Sequence, residues 1–494
     1  MKKIIQTTTL AIGLCIFAFA QTTTLKPSLE RVWGGNSSDV LNGLALDSSG
    51  NALTVGVSKS FVDSYYGDLL VSKLSPTGEL LWAKNIGTPG LDSPMRYIDG
   101  DHGATSRAIA TDAQNSVYVV ARAAWKINAE PQTQIVVKLS ANGEILWSKA
   151  WRPHWKNQAN GTTNASSVTV VGNRVYVAGG GGDAGDEAQI LVSILDANNG
   201  NQLDALTIDP TPGSNDRVFS LVANPAGTTI YLGGWNGRTG RGQILKLGVA
   251  NDKLEFLWAK EMPQETRGST ISDLDLDANG NLYAASDVHG TQTYLELFKL
   301  DPNGKVLWGR RYNAGVRNDR NNARVVRVIG DKVYLGGRVG FQEYTQADYQ
   351  FGDSALLQYN FDGKLERELF HFTGTQQDVV AMDHTMGIAA YGNRLYVAGW
   401  IYPLGTNVVG EWRDPSNYKF PHESTNLAAS AQSSEPILGV KTLRLTAPQK
   451  SGEEIGLVST DVKERIEIGT AKEMSSKNRN TQHYLFGFDN LIGK

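Results

Sequence analysis

Residues 78–87 read GELLWAKNIG, a short strand-like run that returns along the chain. It recurs as GEILWSKAW at 143–151, EFLWAKEM at 255–262 and GKVLWGRRY at 304–312. Self-similarity at a spacing of about 50 to 65 residues is typical of arrays in which one supersecondary unit is repeated. The fold therefore depends on what surrounds each copy.

A second repeated strand ends in small residues and occurs seven times. Its copies begin at Leu53, Tyr118, Tyr176, Tyr231, Tyr283, Tyr334 and Tyr396. Another strand-like run, joined by a tight turn, precedes each copy, as in LALDSSGN at 44–51, where Asp and Asn cap the turn and Gly supplies a positive φ. A third strand and a second turn then lead into the fourth strand, which is the run at 78–87 in the first unit. Each unit is thus four antiparallel strands, a to d, which is the pattern of a β-propeller blade.

The last unit lacks its fourth strand, because QHYLFGF at 482–488 is followed at once by the final residues. The missing copy lies near the other end of the chain, where LERVWGG at 29–35 repeats the first three residues of LERELF at 365–370. A strand from the N-terminal end that completes the last blade would close the ring and remove two sheet edges. The sequence predicts an all-β, seven-bladed propeller over 29–494, with an insertion at 400–480 in blade 7.

The repeat also carries a family resemblance. The pattern Asp-x-x-Gly-Asn-x-x-x-x-Gly, followed by a strand, Gly and Leu-Trp, resembles the secreted bacterial β-propeller repeat proteins of SBBP type. It is more distantly similar to quinoprotein and WD40 propellers, and it covers residues 29–400 and the last strand. The resemblance implies the propeller scaffold; function has to be argued from the site, because such proteins share a scaffold rather than one catalytic centre.

The N-terminal residues have the order of a secretory signal peptide. Lys2 and Lys3 precede an apolar run from Leu10 to Phe19, and Ala20 ends a small-residue cleavage pattern. We expect a signal peptide over 1–20, a linker over 21–28, and a mature chain that is secreted, periplasmic or at the cell surface. Lipidation at Cys15 is the alternative. Cys15 is the only cysteine, so the mature chain would have no disulfide and no thiolate site.

Charge and hydropathy limit the partners. Loss of the two N-terminal lysines leaves 45 of the 47 basic residues against 50 acidic residues. This balance gives no basic footprint for nucleic acid. No later run approaches the roughly 20 apolar residues of a membrane span. We expect a monomer that binds a protein or a polysaccharide, without a metal or another cofactor.

The long connections all emerge on one face of the predicted ring, since the a–b and c–d turns are short and the d–a and b–c loops vary. Loops gathered on one face of a rigid scaffold are a common place for binding. The insertion at 400–480 begins with aromatic residues and prolines. It allows two interpretations: a cap over the mouth of the ring, or a small hairpin that packs on the ring. The cap would use as contact residues Trp400, Tyr402, Trp412 and Tyr418.

Alignment of the repeats places one position at the start of each strand a, beside the central channel. The residues there are Asp39, Ala104, Asn164, Asp216, Ser269, Asn322 and His384. Such a polar ring could bind a ligand or an ion, or it could cap turns.

Catalytic motifs are weak. Asp101-His102 and Asp383-His384 each pair a carboxylate with an imidazole, but neighbours in sequence rarely form a working dyad. No nucleophile elbow or HExxH zinc pattern occurs. The calcium-like run at 273–281 falls on a predicted hairpin turn, and the Leu-Trp pairs favour blade packing over ligand stacking. The sequence favours an exported, non-catalytic binding module; a quinoprotein-type enzyme and a structural envelope component are the alternatives.

Overall fold

A computed structural model of the chain describes residues 24–61, 67–87, 106–123, 133–151, 162–182, 189–262, 268–288, 293–314, 321–339, 353–372, 380–404, 411–413, 422–427, 434–445, 453–454, 457–475 and 482–492. The strands form seven antiparallel sheets, one for each blade of a β-propeller. The predicted fold class is confirmed.

Blades 1 to 6 each consist of four consecutive strands. Blade 1 follows β1 (Thr24–Leu25) and β2 (Leu29–Gly34), and contains β3 (Asp39–Leu46), β4 (Ala52–Ser58), β5 (Asp68–Leu74) and β6 (Leu80–Gly87). Blades 2 and 3 contain β7 (Ile109–Thr111), β8 (Val117–Ala123), β9 (Thr133–Leu139), β10 (Ile145–Trp151), β11 (Thr162–Val171), β12 (Arg174–Gly182), β13 (Gln189–Asp196) and β14 (Gln202–Asp209). Blades 4 and 5 contain β15 (Arg217–Ala223), β16 (Thr229–Asn236), β17 (Arg241–Ala250), β18 (Lys253–Glu261), β19 (Ser269–Leu276), β20 (Leu282–Val288), β21 (Tyr294–Leu300) and β22 (Val306–Ala314). Blade 6 contains β23 (Asn322–Ile329), β24 (Lys332–Val339), β25 (Asp353–Asn360) and β26 (Leu365–Phe372).

Blade 7 combines both ends of the described chain. Its first two strands are β27 (Val380–Tyr391) and β28 (Arg394–Leu404); the C-terminal β36 (Gln482–Asp489) pairs with β28, and β2 pairs with β36. The register sets Leu29 opposite Gly487 and Trp33 opposite His483. The predicted closure by the N-terminal strand is therefore confirmed.

The a–b hairpins turn where the repeat places Asp and Asn. Asp277 Oδ1 accepts hydrogen bonds from the backbone N–H of Asn279 and of Asn281, both at 2.9 Å, and Gly280 has φ of +79°. Glycine adopts this left-handed conformation without steric cost. The calcium-like run at 273–281 is therefore a hairpin turn with an internal cap.

The tryptophans of the fourth strands join neighbouring blades, as predicted. Trp82 is 8% exposed, and its indole N–H donates to the Ala141 carbonyl in the c–d turn of the next blade at 3.0 Å. Trp147 bonds the Ala197 carbonyl in the same way at 3.1 Å, and Trp308 bonds that of Phe361 at 3.0 Å. The same tryptophan thus packs one blade on the next at successive positions around the ring.

The segment between β28 and β36 is neither the predicted cap nor the predicted hairpin. Its described parts run around the outside of the ring and add a fifth strand to every blade, and we call residues 411–469 the belt. In chain order its strands pair with blades 6, 5, 4, 3, 2, 1 and 7, as β29 (Glu411–Arg413), β30 (His422–Asn426), β31 (Glu435–Pro436), β32 (Lys441–Arg444), β33 (Glu453–Glu454), β34 (Val458–Asp461) and β35 (Glu467–Gly469). A short helix, α1 (Ala471–Ser475), follows the belt and packs on β2. The belt pairs with the outer edge of the fourth strand in each blade. Without it, that edge would offer unpaired backbone groups to other chains.

Apolar side chains anchor the belt at intervals. Leu427, Leu445 and Val462 follow three of its strands directly, and each is at most 5% exposed. The N–H of Leu427 donates to the Gly309 carbonyl, and that of Val462 to the Ala83 carbonyl, both at 3.1 Å. Gly309 and Ala83 occupy the same place in their strands, directly after the repeated tryptophan. The belt thus carries its own weak repeat, a short polar strand followed by one buried apolar residue.

Candidate functional site

An ionic cluster joins the innermost strands across the axis of the ring. Arg107, just before β7 in blade 2, donates from Nε to Asp273 Oδ1 of blade 5 at 2.9 Å. Ser220 of blade 4 donates to the same oxygen at 2.9 Å, and Arg327 of blade 6 donates from Nη1 to Oδ2. We call Arg107, Asp273, Arg327 and the neighbouring Asp275 the axial cluster. Blades 2 and 5 are not neighbours in the ring, so their contact must span the channel.

Asp273 is fully buried, yet it stays ionised. Burial raises the pKa of its carboxyl, but the guanidinium groups of Arg327 and Arg107 outweigh that effect and lower the pKa to about 2. Asp275 accepts a further contact from Arg107 at 3.1 Å. The axial cluster is a permanent ion pair network, not a titrating site.

Asp39 fastens loops on the elaborated face. Its Oδ2 accepts hydrogen bonds from the Gly35 N–H at 2.7 Å and from the Ser60 hydroxyl at 2.9 Å, while Ser58 bonds Oδ1. Gly35 belongs to the connection that enters blade 1, and Ser60 begins the b–c connection. Burial raises the pKa of Asp39 to about 6, although these hydrogen bonds oppose the shift.

Asp216 does the same in blade 4. Its carboxylate accepts the Thr211 N–H at 3.1 Å and the Gly237 N–H at 3.2 Å, which belong to the d–a and b–c connections. Burial raises the pKa of Asp216 to about 6. The donors around Asp39 and Asp216 are those expected of residues that cap turns.

Asn322 and His384 take part in a different arrangement, which spans three blades. Arg338 donates from Nη2 to Asn322 Oδ1 at 2.6 Å, and its Nη1 lies 3.1 Å from His384 Nε2. The Asn322 amide reaches both oxygens of Asp287 in blade 5 at 3.1 Å. With two further side chains these residues form what we call the inner arc: Asp287, Asn322, Arg324, Arg338, His384 and Trp400.

A β-bulge turns Arg324 into the inner arc. The register of β23 and β24 shifts between Ala323 and Val325, so Arg324 is the extra residue. Bulges commonly redirect a side chain in this way. Arg324 is 6% exposed, and its Nη1 lies 3.7 Å from Asp287 Oδ2.

His384 is held between an aromatic ring and a cation. Trp400 is opposite His384 in the sheet, and their rings stack at 4.5 Å with an interplanar angle of 16°. Burial lowers the pKa of His384 well below its usual range, and Arg338 and Arg324 lower it further. The imidazole is therefore neutral, and its Nε2 accepts from Arg338.

Bulges also correct the predicted alignment of the repeats. Counted back from the bulge in each first strand, the residues equivalent to Asp39 and Asp216 are Asn321 and Asp383, one position before Asn322 and His384. A shift by one residue moves a side chain to the other face of a strand. The Asp383 carboxylate accordingly contacts His371 Nδ1 at 2.9 Å, and His384 faces Arg338. Asp383 and His384 do not form a dyad.

The remaining predicted residues are spread widely. Trp412 lies in the belt and is 1% exposed, with its ring packed against His371, Phe486 and Phe488, so it does not offer a contact surface. Tyr402 is part of β28. Asp101, His102 and Tyr418 lie outside the described residues, as does the predicted signal peptide.

Sequence reasoning missed Asp287, Arg324 and Arg338. Arg338 directly follows the small residues that end strand b, and so does Asp287. That position is opposite the start of strand a, which is the signal that could have found them.

Within the described part of the chain, no three histidine, cysteine or acidic side chains come close enough to hold a metal ion. The helices that the structure describes include none with the length and apolar character to cross a bilayer.

No protein-family model and no curated protein matches the chain. Similar solved structures include quinohemoprotein alcohol dehydrogenase from Comamonas testosteroni, 13% identical over 79% of this chain and 77% of that chain, with a TM-score of 0.42. A europium-containing methanol dehydrogenase is 11% identical over 94% and 93% of the two chains, with a TM-score of 0.41. Hydrazine synthase of Kuenenia stuttgartiensis is 15% identical over 62% and 79%, with a TM-score of 0.40. At these identities the likeness extends to the fold alone.

Proposed function

We propose that the protein is an exported, non-catalytic binding module that takes a protein or glycan ligand at the looped end of its ring. The observation that carries this proposal is the inner arc. It gathers charged and aromatic side chains of three blades, such as Arg324, His384 and Trp400, at the strand ends that lead into the long connections.

The scaffold suits such a role because it holds the inner arc rigidly. Asp287, Asn322 and Arg338 are linked by hydrogen bonds across the blade 5–blade 6 boundary, so their rotamers are fixed before a ligand arrives. Preorganised groups lose little conformational entropy on binding.

The axial cluster sets the depth of this site. Asp273 lies four residues beyond Ser269, the first residue of β19, which is roughly 13 Å along a strand. A ligand that enters from the looped end meets this ionic floor.

The state of the histidine supports binding over catalysis. General acid–base chemistry needs a group that exchanges protons near the working pH. His384 is neutral and engaged by Arg338, and Asp383 lies on the other face of its strand.

The test is a capture experiment with purified chain from residue 21 onward. Immobilised protein is exposed to polysaccharides and to envelope proteins of the producing cell, with Trp400→Ala as the matched control. Ligand retained by the wild type and lost by the variant supports the proposal. Equal retention by both would place binding elsewhere, and oxidation of alcohols with added quinone and calcium would favour the enzyme alternative.

A further inference from the structure

We infer that the inner arc binds the carboxylate of an acidic saccharide, a uronic acid unit, with Arg324 as the pairing group. This inference rests on the proposed function and names the ligand class for the same site. It begins from a buried side chain of the arc that has an unused hydrogen-bond donor in the described part of the chain.

Arg324 is that side chain. It is 6% exposed, and its Nε has no hydrogen-bond partner among the residues that the structure describes. Its ion pair with Asp287, at 3.7 Å, is longer than a charge-assisted hydrogen bond of about 2.7–2.9 Å. A buried guanidinium with an unused donor is costly, so a ligand that supplies an acceptor would be favoured at this position.

The inner arc contains two guanidinium groups, those of Arg324 and Arg338, and one carboxylate, that of Asp287. Asp287 already accepts the Asn322 amide on both oxygens. Arg338 donates to two neutral acceptors, Asn322 Oδ1 and His384 Nε2. A planar guanidinium fork recognises a planar carboxylate through two parallel hydrogen bonds.

The aromatic pair favours a saccharide over an acidic peptide. Trp400 is partly exposed and stacks on His384, whose Nε2 lies 3.1 Å from Arg338 Nη1. A sugar ring presents a flat face of C–H groups, which can pack on an aromatic face while the carboxylate turns to the guanidinium. An acidic side chain on a peptide carries the charge without that flat face.

The bulge position sets blade 6 apart. In the other described first strands with a bulge, the extra residue is Asn42, Ser166, Phe219, Ser272 or Met386. Only in blade 6, among these strands, does it bring a cation to the looped end.

The experiment is calorimetric titration of the purified chain, from residue 21 onward, with galacturonic acid, oligogalacturonides, a neutral galactose oligomer and an acidic peptide. We expect the oligogalacturonides to bind, and the free sugar acid to bind more weakly. Arg324→Gln should lower the affinity at least tenfold. Asp287→Asn, which removes the competing carboxylate, should raise it.

Arg217→Gln is the matched control, because Arg217 is exposed, lies at the start of the first strand of blade 4 and stacks on Trp235 at 5.8 Å. Its affinity should equal that of the wild type. Thermal melting of each variant checks the fold, and a higher affinity of Asp287→Asn cannot arise from misfolding.

Three results overturn the inference, and the third is that none of the four probes binds. Equal binding of oligogalacturonide by wild type and Arg324→Gln would remove Arg324 from the site. Binding of the neutral oligomer or the acidic peptide alone would leave the binding module standing and refute the ligand class. If none of the four probes binds and the capture experiment also returns nothing, the proposed function fails as well.

Discussion

Arg107 of blade 2 donates to Asp273 of blade 5 at 2.9 Å, although three steps around the ring separate their blades. The contact therefore joins opposite sides of the propeller. Ordinary packing between neighbouring blades does not make such a contact.

Replacement of Asp273 by Ala should destabilise the ring strongly. It removes the carboxylate that the largely buried guanidinium groups of Arg107 and Arg327 share, although Arg107 keeps its contact with Asp275, and such losses cost about 3–5 kcal/mol. Denaturant titration measures the change. Asp331→Ala is the control, because Asp331 forms only an exposed ion pair with Lys332 and should change stability by less than about 1 kcal/mol. Similar values for the two variants would refute a bracing role.

The loop-fastening carboxyl of Asp39 should make stability depend on pH. Its folded pKa of about 6 lies above the value of 3.8 for an unfolded aspartate, so its protonated form favours folding. The stability that the protonated Asp39 carboxyl contributes is complete below pH 3.8 and is lost as the pH rises through 6. The free energy of unfolding of Asp39→Asn, relative to that of the wild type, should rise by up to about 3 kcal/mol between pH 4 and pH 7. Melting of both proteins across this range provides the test, and a constant difference would contradict it.

Trp412 should be the strongest anchor of the belt. Its ring is 1% exposed and packs on Phe486 and Phe488, so Trp412→Ala should cost about 3–5 kcal/mol. Leu438, which is 84% exposed on the same belt, gives the control, and Leu438→Ala should change stability by less than about 0.5 kcal/mol. Denaturant unfolding measures the free energy of unfolding of both variants. A small loss for Trp412→Ala would mean that the belt contributes little to the stability of the protein.

The indole N–H of Trp82 should stabilise the contact between blades 1 and 2. Trp82→Phe removes its bond to the Ala141 carbonyl and should cost about 0.5–1.5 kcal/mol, beyond any packing change. Its neighbour Leu81 points outward at 36% exposure, so Leu81→Ser should be nearly neutral. Urea unfolding compares the two, and a neutral Trp82→Phe would show that packing alone holds the blades.

Much of the ring could be predicted because several local signals agree at each hairpin. Asp277, Gly280 and the alternating strands around them all specify the same turn, and Trp82 marks the fourth strand. When turn residues and strand pattern agree, local structure can be predicted from the sequence.

The belt could not be predicted, since its strands are two to five residues long and mostly polar. Glu435–Pro436 is a strand only because it lies against β18, which is far away in sequence. Nothing local distinguishes such a segment from a loop. The aromatic and proline-rich start of the insertion therefore favoured the wrong structure.

The candidate site was found in part and misread by one residue. The alignment placed Asn322 and His384 with Asp39 and Asp216, but they lie one residue nearer to the bulge of their strand, and sequence alone does not reveal that extra residue. Arg324 is that extra residue in blade 6, and its role follows from its exceptional position rather than from the repeat.

The belt also gives the molecule an order of assembly. Lys84 in blade 1 and Asp461 in the belt form an ion pair across 377 positions of sequence, and the belt can find its places only after the outer strands of the ring exist. Hairpins can form as the chain emerges, but ring closure and belt must come last, and such non-local pairing is slow. A nascent chain that stops before residue 411 would hold its hairpins and still present seven open edges to its neighbours.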